Sequence, residues 1–484
     1  MKYQFNPKRI GQLFESKQLS AGDLAALLGI GDEKIFRWES GEEVPALEHF
    51  LTMCNRYDLP MDYFFRDDEE TSDKTGDDVF GMESLMQLYK IGRGPSSSHT
   101  AGAAVIAYLA QKMINGPLTR VTFTLYGSLA KTGTGHGTDV VIRNTFAPLP
   151  CEVIFDLEKQ DLPHPNTMEL FALSEGKVLG QSKVMSVGGG SIRFEQDAEF
   201  KPPLVYRHHS FREISEYCKQ KRMRLWEYVE EVEGNEIWKY LGEIWKTMKE
   251  TIHRGLEDEG ILPGGLEVQK KAKFLHEMEH IDETAETREN RMVCSFAFAA
   301  SEQNACYGKV VTAPTCGASG VVPAVLYYQQ LKHNFSDQQI MRALATGGLI
   351  GNLIKTNASI SGAECGCQAE VGTACAMAAA ALSELFRLNL DKIEYSAEIA
   401  IEHHLGLTCD PICGLVQIPC IERNAVAAMR AINAVNLASF LSSTRKISLD
   451  SVIETMRETG RDMARQYKET SEGGLATVAR PGEW

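Results

Sequence analysis

Residues 359–375 have the sequence SISGAECGCQAEVGTAC, which combines three cysteines and two glutamates with small residues at most other positions. Small residues allow the backbone to approach a ligand closely, and thiolates bind soft metals. The chain contains no Cys-x-x-Cys pair, which disfavours a zinc ribbon or a thioredoxin-type site. Two further cysteines, Cys409 and Cys420, lie near prolines that stiffen the backbone. The pattern leaves two interpretations open, a metal site and a group of buried core thiols.

Length and composition limit the class of protein. A chain of 484 residues is too long for one domain, so we expect two or three domains. The formal net charge of −15 argues against broad binding to nucleic acids or anionic membranes. Because no apolar run reaches about 18 residues and the N-terminus is polar, we expect neither a membrane span nor a signal peptide. Nine of the twelve cysteines lie after residue 290, which favours a metal site in a reducing cytoplasm over a disulfide framework.

The N-terminal residues 1–66 predict a small all-α domain of five short helices. The second helix has an apolar stripe formed by Leu24, Leu27 and Leu28. A tight turn at 29–31 and a third helix over 32–39 follow it. This pattern resembles the helix-turn-helix of the Cro and repressor class, and residues 67–79 predict an acidic, flexible linker after it.

Charge argues against DNA binding by this module. The predicted recognition helix opens with Asp32 and Glu33, and residues 1–70 hold 8 Lys and Arg against 14 Asp and Glu. Each contact with a DNA phosphate requires a cation, and a recognition helix must tolerate phosphates. DNA binding therefore stays open but is not favoured, and the alternative is a docking or dimerisation module that has kept the fold.

Residues 80–207 predict a mixed α/β domain, in which 121–126 alternate as a strand does. The motif GRGPSSSHT at 92–100 precedes an apolar run over 101–113 that predicts a helix. A proline followed by serines at a helix start leaves backbone N–H groups and hydroxyls free to bind an anion such as a carboxylate. A plain serine cap is the alternative interpretation.

Three further motifs lie in the same region. GTGHGTD at 133–139 and SVGGGS at 186–191 predict turns, since neither has the spacing or the lysine of a dinucleotide fingerprint or a P-loop. In PHPNTM at 163–168, His164 lies between two prolines, which hold its backbone rigidly, as a proton-transfer group requires. A solvent-exposed turn histidine is the alternative.

Residues 208–484 predict a largely all-α catalytic domain, and the alanine-rich run 374–385 is a strong helix former. Its other motifs are RGL at 254–256, LPGGL at 262–266, VTAPTCGASG at 311–320, KTNA at 355–358 and SEGGLA at 471–476. With the motifs above, they resemble the iron-sulfur-dependent L-serine dehydratases (L-serine ammonia-lyases) from about Phe80 to Ala476. We therefore expect an α+β multidomain enzyme.

The resemblance implies a [4Fe-4S] cluster and an acid–base site. In that family three cysteines hold the cluster, and they correspond here to Cys367, Cys409 and Cys420. His99 and His164 are the implied acid–base residues, and Asn166 is the implied orienting residue. The residues implied to bind the amino-acid substrate are Ser96, Ser97, Ser98, Thr100 and Lys355.

The expected reaction converts L-serine through aminoacrylate to pyruvate and ammonia. A positioned base supplies about 10²–10⁴-fold, less than enzymes typically achieve, so the leaving hydroxyl must also be activated. Pyridoxal phosphate is not expected, because no phosphate cradle with a paired lysine occurs in the sequence. A cluster held by three cysteines leaves one iron open to act as a Lewis acid. We expect a homo-oligomer, specifically a dimer.

Several positions depart from the family pattern. Cys365, Cys413 and Cys316 stand where relatives usually have Val, Gly and Asn, and Thr167 stands where they have Gly. The extra thiols are interpreted first as core fillers, and otherwise as alternative ligands or signs of a sulfur-containing substrate. A second function is therefore β-elimination from L-cysteine. A third is an iron- or redox-sensing regulator, which the acidic recognition helix disfavours.

Overall fold

The computed structural model describes residues 5–17, 19–57, 64, 81–103, 119–159, 161–174, 177–194, 202–279, 282–441 and 445–478. The chain divides into two compact units, residues 1–79 and 80–484. Helices and strands both occur, in agreement with the expected α+β class. The predicted linker at 67–79 lies outside the described residues. Among the described helices, none is long and apolar enough to cross a membrane.

The N-terminal unit contains four described helices, α1 (Lys8–Lys17), α2 (Ala21–Leu28), α3 (Asp32–Ser40) and α4 (Leu47–Tyr57). Ser20 begins α2 through a capping box with Asp23, and Gly29 ends it in a left-handed conformation with φ +66°. The second and third predicted helices are thus confirmed, whereas the fifth falls almost entirely outside the described residues. The core of the unit includes Leu24, Ile35, Trp38 and Phe50.

Nine strands are described in the second unit, eight of them up to residue 206 and the ninth farther along the chain. Their bounds are β1 Met82–Glu83, β2 Ile91–Arg93, β3 Arg120–Tyr126, β4 Cys151–Asp156, β5 Thr167–Ser174, β6 Lys177–Ser186, β7 Ile192–Phe194, β8 Leu204–Tyr206 and β9 Lys309–Val311. Five of them form one sheet in the order β4-β3-β5-β6-β7, in which only the β3–β4 pair is parallel. The predicted strand at 121–126 is confirmed, and its buried residues alternate because one face packs on a core.

Among the described helices, α5 (Gly127–Thr132) and α6 (Thr138–Phe146) pack against this sheet. Phe123 of β3 packs against Phe146 of α6, with ring centroids 5.6 Å apart, in the core of this part. Burial of such a side chain contributes about 1.5–3 kcal/mol. The predicted turns at 133–139 and 186–191 are confirmed, except that α6 already begins at Thr138.

The remainder is helical. The helices are α7 Phe211–Lys221, α8 Leu225–Glu233, α9 Glu236–Glu257, α10 Ala272–Glu277, α11 Ala285–Ala305, α12 Val321–His333, α13 Asp337–Asn357, α14 Gly362–Cys365, α15 Thr373–Leu385, α16 Leu390–Glu402, α17 Cys420–Phe440 and α18 Leu449–Asp462. Every residue of α15 is buried, which confirms the helix predicted at 374–385. Helix α13 approaches it closely because Gly347 has no side chain; a Cβ there would lie 2.6 Å from the carbonyl oxygen of Met377.

The sheet and the helices belong to one compact unit. Strand β2 pairs with β9, and β1 pairs with β8, so the serine-histidine motif that follows β2 is tied to the helical part. The expected boundary at 207/208 falls between β8 and α7, within this unit. The two parts together therefore position the site.

Candidate active site

The serine-histidine motif forms one buried helical turn at Ser97–Ala101. The Ser96 hydroxyl caps it by accepting the N–H of His99 at 3.2 Å. Of the predicted helix at 101–113, only the first three residues are described. Ser96 therefore caps the turn and also contributes a polar group to the wall of a cavity.

The His99 ring is fully buried and surrounded by hydroxyls. Its Nδ1 lies 2.9 Å from the Ser98 hydroxyl, and its Nε2 lies 2.9 Å from that of Thr132 and 3.2 Å from that of Ser128. Burial lowers the pKa of His99 to about 4, although the contact with Ser128 opposes the shift. The imidazole is therefore neutral near pH 7.

His136 and Glu469 lie against His99. The two histidine rings have centroids 4.4 Å apart, and Glu469 Oε1 is 3.3 Å from His99 Nδ1. One ligand atom from each of these buried residues lies within 4.8 Å of the others. Neither ring nitrogen of His136 has a hydrogen-bond partner among the described residues. A buried imidazole without partners is costly, so this ring points to a ligand.

His164 forms a second centre. Its Nδ1 accepts the N–H of Asn166 at 3.0 Å, so in the neutral ring Nε2 carries the proton and donates to Glu364 Oε1 at 2.8 Å. The hydroxyl of Ser359 also donates to Glu364. Burial would raise the pKa of Glu364, but the hydrogen bonds from His164 and Ser359 hold it below its usual value. The pair is therefore an ionised carboxylate and an oriented imidazole.

Asn166 and Thr167 complete this second centre. Both side-chain amide atoms of the fully buried Asn166 lack a partner among the described residues, and they are available to a ligand. The Thr167 hydroxyl donates to the carbonyl of His164 at 2.6 Å, so the departure from glycine supports the histidine loop.

The structure brings Cys367, Cys409 and Cys420 together at one cavity. Cys367 precedes a helical turn at Gln368–Gly372, and Cys420 begins α17. The backbone of Cys409 is held by hydrogen bonds with the segment at 467–469. Burial raises the pKa of the Cys409 thiol well above its usual value, and the nearby charges of Glu469, Glu370 and the other two cysteines raise it further.

These residues fit a metal cluster. Three thiols from three segments line one cavity, and buried thiolates so close together need a cation. Arg423 supplies part of that charge: it contacts the Thr408 carbonyl and Asp410, and it lowers the pKa of the Cys367 thiol, which burial raises to about 11. The backbone lies close as well, because a Cβ at Gly362 would be 3.1 Å from Cys409 Sγ. Thiolate sets of this kind hold iron–sulfur clusters.

Glu370 lines the same cavity. Burial raises its pKa to about 7, although a hydrogen bond from Thr315 opposes the shift. Burial, and then the charge of Glu370, raise the pKa of Glu469 well above its usual value. Neither acid was predicted as a site residue from the sequence, nor was His136, although His136 lies within GTGHGTD at 133–139 and Glu370 within 359–375.

Two predicted substrate ligands are engaged elsewhere. Lys355 pairs with Glu83 of β1 at 2.6 Å and contacts the Gln87 carbonyl, and it is not among the described residues that line the cavity. The Thr100 hydroxyl donates to the carbonyl of His136 at 2.8 Å and accepts the N–H of Ser96, which gives it a structural role. Ser97 is buried within the turn.

The extra cysteines have separate environments. Cys316 is buried, and Cys365 packs so tightly that a Cβ at Gly460 would lie 2.5 Å from its sulfur. Cys413 is exposed and adopts φ +54°, the left-handed region that favours glycine. The first two thus fit the interpretation as core fillers.

The thiol-lined cavity beside buried histidines, on a helical part joined to a mixed sheet, is the candidate active site. Residues 192–476 match the family model of the serine dehydratase alpha chain, and residues 84–148 match that of the beta chain. L-serine dehydratase 1 of Escherichia coli K12 is 41% identical, over 82% of this chain and 99% of that protein. L-serine dehydratases of Haemophilus influenzae and Streptomyces coelicolor are each 39% identical, over 82% and 81% of this chain and 99% and 98% of their own lengths. The chain belongs to the serine dehydratase family.

Proposed function

We propose that the chain converts L-serine to pyruvate and ammonia, and that Cys367, Cys409 and Cys420 hold a [4Fe-4S] cluster as its cofactor. The convergence of these three thiols on a cavity shared with Ser96 and His136 carries the proposal. When bound, the cluster would supply a Lewis-acidic iron without a cysteine ligand, which makes hydroxide a better leaving group. The relatives described above bear the name L-serine dehydratase, which favours serine over the L-cysteine alternative.

The substrate carboxylate is bound at the serine turn. The hydroxyls of Ser96, Ser97 and Ser98 are buried in one turn, and they provide donors without introducing another charge. The unpartnered amide of Asn166 supplies a further donor and acceptor. Lys355 is not part of this proposal, because its ammonium is committed to Glu83.

Proton transfer is assigned to the histidines. His136 is better placed than His164 to accept the α-proton, because both His164 nitrogens are engaged while those of His136 have no partner among the described residues. Burial keeps His99 and His136 neutral, so each can accept a proton. His164 and its partner Glu364 remain the candidate acid pair for the leaving oxygen.

Turnover and iron content test this function together. Anaerobically reconstituted protein is expected to release pyruvate from L-serine much faster than from L-cysteine at equal concentrations. Cys409→Ala is expected to lose both the cluster absorbance and turnover, while the control Cys151→Ala, on strand β4 outside the cavity, keeps both. Full cluster absorbance in the Cys409 variant would reject the ligand assignment.

We further propose that the N-terminal unit is a docking or dimerisation module. Asp32 and Glu33 at the start of α3 are exposed, which opposes contact with phosphates. Titration of the full chain with promoter DNA fragments at low salt is expected to show negligible affinity, and tight, salt-sensitive binding would refute this. A homodimer is proposed as well, because Leu437, Phe440 and Leu441 are exposed close together at the end of α17. Sedimentation velocity tests it.

A further inference from the structure

A second cavity, of about 650 Å³, opens beside the catalytic histidines. Ser128 and Glu364 form part of its wall. The Ser128 hydroxyl lies 3.2 Å from His99 Nε2, and Glu364 accepts from His164 Nε2 at 2.8 Å. A single residue, Ser128 or Glu364, therefore lies between this cavity and each of the two histidines. The cavity is separate from the thiol-lined cavity.

The opposite wall is cationic. It carries Arg457 and Arg461 of α18, followed by Arg465 and Lys468. Among the described lining residues, Glu364 is the single carboxylate, and it is already paired with a histidine. In a chain with a formal charge of −15, this wall is a local concentration of positive charge.

These cations also have partners outside the cavity, and Lys468 donates to the Arg461 carbonyl at 3.4 Å. Arg457 pairs with Glu454, and Arg461 Nε lies 3.3 Å from Asp462; neither acid lines the cavity. The cavity thus offers several guanidinium groups and an ammonium group to one small anion.

We propose that this cavity binds a small carboxylate that lacks an ammonium group, namely a 2-oxo acid such as pyruvate. Guanidinium forks match the two oxygens of a carboxylate. A zwitterionic amino acid has no net charge, and its ammonium group would meet four cations, whereas a 2-oxo acid carries one negative charge. The choice of a 2-oxo acid rests on the proposed function, whose product it is. When the product occupies this cavity, it lies next to Glu364 and Ser128 and hinders the binding of further substrate.

Direct binding tests the proposal without turnover. Carbon-13-labelled pyruvate is titrated into the full-length reconstituted protein and its line width is measured, with L-alanine as the zwitterionic comparison. Pyruvate is expected to bind at least about tenfold more tightly than L-alanine, and to bind more weakly as salt is added. The double variant Arg461→Gln/Arg465→Gln is expected to weaken pyruvate binding about tenfold or more.

The matched control is Arg212→Gln/Lys246→Gln, which removes two exposed cations from α7 and α9. It is expected to leave pyruvate affinity unchanged. Equal pyruvate affinity in the Arg461/Arg465 variant and the wild type would overturn the proposal, because pyruvate would then bind elsewhere. The proposal would also be overturned if L-alanine bound as tightly as pyruvate. If the double variant loses pyruvate binding but the wild-type protein shows no serine turnover, the pyruvate site is supported and the proposed function is rejected instead.

Discussion

Gly362→Ala is expected to disturb the thiol-lined cavity without removing any proposed ligand. A Cβ at this position would lie 2.7 Å from Glu370 Oε2 and 3.1 Å from Cys409 Sγ, both inside ordinary contact distance. The Cys409 backbone is fixed on both sides, because its N–H donates to the Tyr467 carbonyl and its carbonyl accepts the Glu469 N–H, each at 2.8 Å. The added methyl must therefore displace a carboxylate, a thiol or its own helix.

Overpacking of this kind costs about 1–3 kcal/mol. If this free energy destabilises only the metal-bound form, the affinity for the metal group decreases roughly 5- to 150-fold. The assay compares cluster absorbance after anaerobic reconstitution and its decay under a chelator, with thermal unfolding measured in parallel. Gly180→Ala on β6 is the control, because a Cβ there meets nothing within 4 Å. Wild-type cluster retention together with an unchanged melting temperature in Gly362→Ala would refute the close approach inferred here.

The other predictions concern single side chains. Glu364→Gln removes the charge that faces His164, so kcat at saturating serine is expected to fall about tenfold or more; an unchanged kcat would contradict the acid-pair assignment. His99→Gln is expected to alter the pH dependence of urea unfolding in the cluster-free protein. Burial lowers the folded pKa of His99 to about 4 against about 6.5 unfolded, so the wild type should lose up to about 3 kcal/mol relative to the variant as pH falls through that window. The buried acids titrate with the opposite sign, and those that do not contact His99 cancel in this comparison. Two parallel profiles would contradict the burial argument. Lys355→Gln breaks an ion pair with β1 and should lower the melting temperature, while the KM for serine stays within about twofold of wild type; a large rise in KM would restore Lys355 as a substrate ligand.

Local patterns predicted the elements well. The alternation at 121–126 and the alanine-rich run at 374–385 are each set by short-range preferences, so they could be recognised without the fold. The three cysteine positions could be predicted only through the resemblance, since spacing alone favoured buried core thiols over a metal site. The structure removes part of that ambiguity by placing all three at one cavity.

The residues that escaped prediction depend on long-range packing. Glu469 reaches the site because the segment that contains it pairs with Cys409, some sixty residues away in sequence. The sequence predicted that His136 lies in a glycine-rich turn, and it does. The burial of its ring against His99 cannot be predicted from that turn. Lys355 lies just before the opening stretch, yet β1 supplies its partner. Contacts between segments that are far apart in the sequence therefore bring Glu469 and His136 to the site and pair Lys355 with Glu83.

Iron and sulfide counting on the anaerobically reconstituted full chain, combined with Mössbauer spectroscopy, tests the central claim most directly. About four irons and four sulfides per chain are expected, with one iron site spectroscopically distinct and altered by L-serine. All of these signals should be lost in Cys367→Ala, Cys409→Ala and Cys420→Ala. Serine turnover by a protein that holds no cluster, or an intact cluster in any of the three variants, would contradict the account.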